Sequence, residues 1–121
     1  MPSRIVVAKE LSEIYKILSH PDRIRLIEEL RQSERDVNSL HEALELPATR
    51  VSQHLALLRA HRVVEERREG RHVFYHLTQP ELADWIVDGL QFVEMRMLGT
   101  SEQRKMVSQA RKLWSANGES A

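Results

Sequence analysis

The short break at Glu45-Leu46-Pro47 constrains the fold of this chain more than any other feature of the sequence. Apolar residues with helical spacing lie on both sides of it: Val37, Leu40 and Leu44 before it, and Ala48, Val51, Leu55 and Leu58 after it. Asp36 and Asn38 are both candidate N-caps for the first of these two helices. Two helices joined by about three residues, the second with a polar outer side, are typical of a helix-turn-helix.

The outer side of the second helix carries polar side chains that could contact another molecule. They are Thr49, Arg50, Ser52 and Gln53. A helix fits the major groove of DNA, where Arg, Gln, Ser and Thr can bond to base edges and phosphates. The alternative is an ordinary solvated surface, because exposed helix faces are usually polar. His54 lies next to Leu55 of the predicted core, and the sequence leaves open whether it contacts a base or packs internally.

The apolar periodicity changes after Val63, where two runs at 64–68 and 72–77 alternate as strands do. Gly70 lies between them and supplies the positive φ that a tight hairpin turn needs. Basic or titratable side chains cluster near the tip of this hairpin, and they are Arg67, Arg68, Arg71 and His72. The arginines could contact DNA phosphates or pair with the neighbouring residues Glu65, Glu66 and Glu69. A helix-turn-helix followed by such a ribbon predicts a winged helix-turn-helix, mainly α with a two-stranded β-wing.

Further helices are predicted on either side of this unit. The first has an apolar face at Leu11, Ile14, Tyr15 and Leu18, and the second begins at Pro21 with Ile24, Ile27 and Leu30 on its buried side. Pro80 opens a fifth helix with a broad apolar stripe, and a weaker last helix runs from Ser101 to about Trp114, before a frayed end at 115–121. With a break at Gly99 and Thr100, the chain divides into a domain at 1–98 and an extension at 99–121.

Charge and composition exclude several classes of function. The 18 basic and 18 acidic residues balance, although residues 47–76 carry six basic and three acidic side chains. The chain has no cysteine, which excludes disulfides, thiolate metal sites and cysteine nucleophiles. Paired carboxylates at 28–29 and 84/88 have no nucleophile or glycine-rich phosphate loop beside them, so an enzyme is not expected. No apolar run is long enough for a membrane span or a secretory signal, and the expected location is the cytoplasm.

Three motifs resemble those of the ArsR/SmtB bacterial transcription regulators. Residues 18–27 (LSHPDRIRLI) are similar to the opening L-x-x-P-x-R-x-x-I/L of that family. Residues 51–59 (VSQHLALLR) resemble its recognition helix VSxHLxxLR, and residues 67–77 (RREGRHVFYHL) resemble its wing RREGRxVxYxL. The resemblance covers roughly residues 8–97, with the motifs in the same order and spacing.

The resemblance implies a homodimeric repressor that binds double-stranded DNA at an imperfect inverted repeat. Its first and fifth helices would pair across a two-fold axis, and a dimer seam is favoured over internal packing for the apolar stripe of the fifth helix. The seam residues would be Leu11, Tyr15, Trp85, Gly89, Leu90 and Val93. The family pattern assigns Thr49, Arg50, Ser52, Gln53 and His54 to the recognition helix. It assigns Arg67, Arg68 and Arg71 to the wing.

The chain also departs from the family pattern. Many members sense metals through a Cys-x-Val-Cys-like motif at the third helix, but the matching residues 35–39 contain no thiol. Others use an Asp-x-His motif with distant His or Glu on the fifth helix, which here offers Asp84, Asp88 and Glu94 without a histidine. His20 and His41 have no evident role. We therefore expect neither a metal nor a cofactor. Arg62 replaces the usual glycine after the recognition helix, at an expected cost of about 1 kcal/mol if it adopts a left-handed C-cap.

Two alternatives to simple repression remain open from the sequence. The same fold could be switched by an organic effector near the dimer seam, or by a metal held by oxygen ligands and histidine. It could instead bind another protein, which the balanced net charge permits.

Overall fold

The computed structural model describes residues 2–97 and 101–119, with side chains up to residue 115. The described residues form six helices and three strands: α1 (Pro2–Ile17), α2 (Pro21–Glu29), β1 (Arg35–Asp36), α3 (Val37–Leu44), α4 (Ala48–Ala60), β2 (Val64–Glu69), β3 (His72–Leu77), α5 (Glu81–Arg96) and α6 (Ser101–Glu119). Within these ranges, none of the helices has the length and apolar character needed to cross a membrane. The helix-turn-helix is α3 and α4, and the hairpin β2–β3 is the wing.

The centre of the core lies where α2, α3 and α4 meet the base of the wing. The largest side chains with almost no solvent contact are Leu26, Ile27, Leu40, Val51, Leu55, Leu58 and Val64. Burial of one such side chain stabilises a fold by about 1.5–3 kcal/mol. This cluster therefore fixes how α4 is rotated about its own axis.

Local sequence signals define where the helices begin. Pro21 is the first residue of α2, and the Nδ1 atom of His20 accepts a hydrogen bond from the Asp22 backbone N–H at 3.1 Å. Asp36 caps α3 by accepting from the Ser39 N–H at 2.7 Å, whereas the other candidate, Asn38, lies inside the helix.

The sheet has the strand order β1-β3-β2 and is antiparallel throughout. Glu69 pairs with His72, and Gly70, with φ 59°, occupies the first central position of a two-residue turn. The strand β1 was not predicted from the sequence, where Asp36 was only a candidate N-cap. Its register, Arg35 opposite Tyr75, joins residues far apart in sequence, and two polar residues show no alternation from which a strand could be inferred.

The first helix differs from its expected packing. Ile17 is its only buried residue in the described part of the chain, while Leu11, Ile14 and Tyr15 are exposed. Three of the four residues of the predicted apolar face are therefore open to solvent in the single protomer, and only Leu18 is half-buried.

The C-terminal helix is longer than predicted, because α6 continues past Trp114 to Glu119. It packs against α5, Val107 is buried, and the Arg31 guanidinium donates to the Trp114 carbonyl oxygen at 2.6 Å. The predicted break at Gly99 and Thr100 and the last two residues, 120 and 121, lie outside the described residues. The division at residue 98 stays a prediction.

Arg62 adopts the left-handed conformation, with φ 61°, directly after His61, the C-cap of α4. The Val63 N–H donates to the Leu58 carbonyl at 2.9 Å and the Arg62 N–H to the Arg59 carbonyl at 3.0 Å, which is the pattern of a Schellman motif. Arg62 therefore adopts the left-handed conformation that was considered for it from the sequence.

We predict that Arg62→Gly raises the free energy of unfolding by about 1 kcal/mol, because glycine adopts this φ without a Cβ clash. Urea denaturation followed by circular dichroism measures the change. The control, Ala60→Gly in the last turn of α4, should lower the free energy of unfolding by about 1 kcal/mol. Equal destabilisation by both glycines would contradict the prediction.

Candidate nucleic-acid interface

The recognition helix α4 has one buried side and one exposed polar side. Val51, Leu55 and Leu58 face the core with no solvent exposure. The four polar residues predicted to face outward are all exposed: Thr49, Arg50, Ser52 and Gln53. We call these four residues the outward row.

The outward row has no partners in the part of the chain that the structure describes. No hydrogen bond or ion pair within residues 2–97 and 101–119 engages any of its side chains. Pro47, which precedes α4, makes no side-chain hydrogen bond to the first amide groups of the helix. Such amide groups and the positive end of the helix dipole attract anions. The first turns of α4 therefore present an arginine, hydroxyl and amide groups and a positive helix end to solvent.

His54 is set apart from this row by its burial. Its side chain is 12% exposed, its ring centroid lies 4.5 Å from that of His20, and its Nε2 lies 3.5 Å from Asp22 Oδ2. Burial lowers the pKa of His54, the positive charge of a protonated His20 lowers it further, and Asp22 opposes this shift. The sequence left open whether His54 contacts a base or packs internally, and its position in the structure is an internal one.

Arg67 is held within the wing by several groups. Its Nε donates to both carboxylate oxygens of Glu34 at 3.0 Å, and its Nη1 donates to Glu69 at 2.9 Å. Its guanidinium carbon also lies 4.9 Å from the centroid of the Phe74 ring. These hydrogen bonds raise the pKa of Arg67 and lower that of Glu34. Arg67 therefore joins the wing to the loop before β1.

The other two wing arginines differ from each other. Arg68 lies 3.7 Å from Glu66, which also pairs with Arg59 at 3.3 Å. Arg71 is exposed at the hairpin tip and has no ion pair or hydrogen bond among the described residues. Pairing within the protein, the alternative considered from the sequence, therefore holds for Arg67 and Arg68 but not for Arg71. Sequence analysis missed the part played by Glu34, because only the three-dimensional pairing brings it to the wing.

Of the residues proposed for a dimer seam, Tyr15, Trp85 and Gly89 lie on one apolar surface of α1 and α5. Tyr15 and Trp85 are 55% and 45% exposed, and their rings stack with centroids 5.7 Å apart. Leu11 is also exposed, while Gly89, Leu90 and Val93 are half-buried. A groove of about 360 Å³ runs along this surface, and Phe92 at its side is 62% exposed.

Among the described residues, acidic and histidine side chains that could hold a metal lie on α5 and at the start of α2. Two acidic residues of α5 are engaged elsewhere, since Asp84 pairs with Arg31 and Glu94 with Arg111. One set of three ligand atoms converges, and it comes from His20, Asp22 and His54. His20 had no evident role in the sequence. Its position two residues before Asp22 was the signal that could have linked the two as ligands.

Comparisons with known proteins agree with this geometry. A family model described as bacterial regulatory protein, arsR family, matches residues 20–66. The transcriptional repressor SmtB of Mycobacterium tuberculosis is 41% identical over 78 residues, which are 64% of this chain and 58% of that protein. The biofilm growth-associated repressor of Xylella fastidiosa is 34% identical over 79 residues, or 65% of this chain and 69% of that protein. The chain thus spans less than two thirds of the length of SmtB.

One solved structure links the fold to an assembly. The homodimeric winged helix-turn-helix DNA-binding domain of Mb0332 from Mycobacterium bovis, described as a possible ArsR-family regulator, superposes with a TM-score of 0.62. It is 25% identical, and the match covers 78% of this chain and 87% of that one. The winged-helix fold and the family resemblance inferred from the sequence are confirmed. The matched proteins are regulators of transcription, in agreement with the expectation that the chain is not an enzyme.

We predict that His54 makes the stability of the protein depend on pH. Because the pKa of His54 lies below its ordinary value of 6.5, the unfolded chain takes up a proton at a higher pH than the folded chain does. The free energy of unfolding therefore falls as the pH drops through 6.5 toward the folded-state pKa. His54→Gln should flatten this part of the curve of stability against pH, measured by urea denaturation.

The control for this experiment is His61→Gln, which removes an exposed histidine next to the end of α4. It should leave the slope as it is in the unchanged chain. An identical slope for His54→Gln and the unchanged chain would count against the assigned shift.

Proposed function

The chain belongs to the arsR family of bacterial regulatory proteins, and from that premise we propose that it is a transcriptional repressor that binds double-stranded DNA as a homodimer. The repressors of Mycobacterium tuberculosis and Xylella fastidiosa, which it resembles in sequence, support this function. Repression would act by occlusion, with the dimer covering a promoter. A protein that binds the chromosome in this way would work in the bacterial cytoplasm.

The outward row of α4 is the observation that carries the proposal. Arg50 and Gln53 are exposed, lie near the N-terminal end of the helix and have no partner among the described residues. Base recognition in the major groove uses such residues, with arginine directed to guanine and glutamine to adenine. Thr49 and Ser52 have hydroxyl groups suited to phosphates or base edges. His54 would contribute by packing inside the protein and not by contacting DNA.

The wing would contribute through Arg71 more than through its other arginines. Arg71 extends from the hairpin tip without an intramolecular partner, whereas Arg67 and Arg68 are paired with carboxylates. A free guanidinium at the end of a ribbon suits a backbone phosphate or the minor groove. Arg67 would hold the wing in place, and Arg68 would exchange Glu66 for phosphate.

A homodimer would cover the apolar surface of α1 and α5. Leu11, Tyr15 and Trp85 are exposed in the single protomer, and Gly89 has open space where a Cβ would be. A second copy of this surface would fill the groove in an isologous contact. The two α4 helices would then enter successive major grooves, at half-sites of an imperfect inverted repeat about 34–36 Å apart.

We predict that Arg50→Ala weakens binding to the selected operator by about 1–3 kcal/mol and relaxes base preference at one position. Selection of bound duplexes from a random pool defines the operator, and mobility-shift titration measures affinity. Lys105→Ala, which removes one exposed positive charge on α6, is the control and should leave base preference unchanged. Unchanged affinity and preference would exclude Arg50 from the interface.

We predict a different result for Arg71→Ala. All duplexes should bind more weakly by a similar factor, and the slope of log affinity against log salt should become shallower by about 1, since one phosphate contact is lost. Titrations of operator and random duplex at several salt concentrations test this. A loss confined to the operator would contradict a phosphate contact.

We predict that Trp85→Glu shifts the protein from dimer to monomer, because it places a charge in the apolar seam. Sedimentation velocity measures the association. The matched control is Leu113→Glu, which makes a similar change at an exposed apolar position of α6. A Trp85→Glu protein that remained dimeric would place the seam elsewhere.

A further inference from the structure

Two histidines and an aspartate converge where the start of α2 meets the middle of α4. His20 precedes α2, Asp22 lies in its first turn, and His54 projects from α4. One ligand atom from each lies within 4.8 Å of the other two, and among the described residues this is the only such group. The side chains of Asp22 and His54 are only 16% and 12% exposed. Three metal-ligating groups are thus gathered in a sheltered position.

The donor set and spacing suit a metal ion. Two imidazole nitrogens and one carboxylate, with a fourth position for water, are the ligands of open zinc sites. Bonds of about 2.0–2.1 Å in a tetrahedral site place two ligand atoms about 3.3–3.4 Å apart. His54 Nε2 and Asp22 Oδ2 are separated by 3.5 Å. This pair already has nearly the separation that a shared ion would require.

We propose that His20, Asp22 and His54 form a binding site for a divalent transition-metal ion of the Zn²⁺ type, which ties the start of α2 to the recognition helix. The site uses neither the third helix nor the fifth, where the family resemblance places metal-sensing motifs. It lies instead between the start of α2 and the middle of α4, the helix that carries the outward row.

Metal binding changes one hydrogen bond of the fold. His20 Nδ1 accepts from the Asp22 N–H at 3.1 Å. If the metal binds Nδ1, the lone pair is used; if it binds Nε2, a neutral ring carries its proton on Nδ1. The cap hydrogen bond is lost in both cases. A bound ion therefore replaces the N-cap of α2 with a link between the two helices.

The nearby positive charge of Arg23 opposes a cation in the site. Its guanidinium donates to the carbonyl oxygens of Ile17, at 2.6 Å, and Lys16, at 3.3 Å. These bonds direct Arg23 to the end of α1, and the carboxylate of Asp22 offsets its charge at the site.

Calorimetric titration of the full chain with Zn²⁺ in a non-chelating buffer tests the proposal. We expect one ion per chain. His20→Asn, Asp22→Asn and His54→Gln should each weaken binding at least about tenfold, since changes outside the first ligand sphere alone cost about 10–100-fold. Asparagine at position 20 keeps a good N-cap, so this variant removes a ligand without removing the cap. Far-UV circular dichroism confirms that each variant is folded.

The matched control is His76→Asn. His76 also lies beside a carboxylate, 3.2 Å from Glu65, but is more exposed and belongs to no group of three ligands among the described residues. This variant should bind Zn²⁺ within twofold of the unchanged chain.

A spectroscopic and an NMR measurement locate the ion. Co²⁺ in place of Zn²⁺ should give the strong visible absorption of a four-coordinate site, and this absorption should disappear in Asp22→Asn. The backbone amide signal of Asp22 should shift when Zn²⁺ is added, because its acceptor is lost. No binding by the unchanged chain, or binding by all three site variants as tight as that of the unchanged chain, would overturn the proposal. No DNA is present, so these results are independent of the proposed repressor function.

Discussion

Burial of one side of α4 determines how the rest of the interface is arranged. Val51, Leu55 and Leu58 are inaccessible to solvent, and each contributes about 1.5–3 kcal/mol of apolar burial. Rotation of the helix by one residue would expose these side chains and direct Ser52 into the core, where an unpaired hydroxyl is costly. The outward position of Arg50 and Gln53 is therefore a consequence of core packing. The proposed DNA surface needs no separate interaction to hold it outward.

The charges of the wing are mostly engaged by the protein itself. The middle of the chain has a basic excess, yet Arg59, Arg67 and Arg68 are paired with Glu34, Glu66 and Glu69. The pair of Arg67 with Glu34 also joins the wing to the loop before β1. Among the described residues of this segment, the arginines without a carboxylate partner are Arg50 at the start of α4, Arg62 after its end and Arg71 at the wing tip. These three arginines would let a chain with no net charge present the proposed surface for DNA.

Sequence patterns predicted the elements that depend on neighbours along the chain. The buried row of α4 and the Gly70 turn follow from spacing and from the φ preference of glycine, and Asp36 was one of two candidate caps for α3. The left-handed conformation of Arg62 was suggested only by the glycine usual at this position in the family. The patterns did not predict β1, the Glu34–Arg67 pair or the approach of His20 to His54. Each of these joins segments more than 30 residues apart, and its register depends on how whole elements pack. Local periodicity contains no information about such pairings.

The exposure of α1 connects the fold to the proposed assembly. Within residues 2–17 only Ile17 is buried, although the helix also carries Leu11, Ile14 and Tyr15. Isolated helices of about 12–15 residues are marginal in water, and most helical stability in proteins comes from packing of an apolar face. Arg23 holds the carbonyl end of α1, and the stack of Tyr15 on Trp85 holds one side. The remaining apolar face of α1 is exposed to water in the single protomer. A second copy, packing its own α1 and α5 against it, would bury this face. Stability of α1 and dimerisation are then coupled, so the two recognition helices would be set in position by the same contact that completes the first helix.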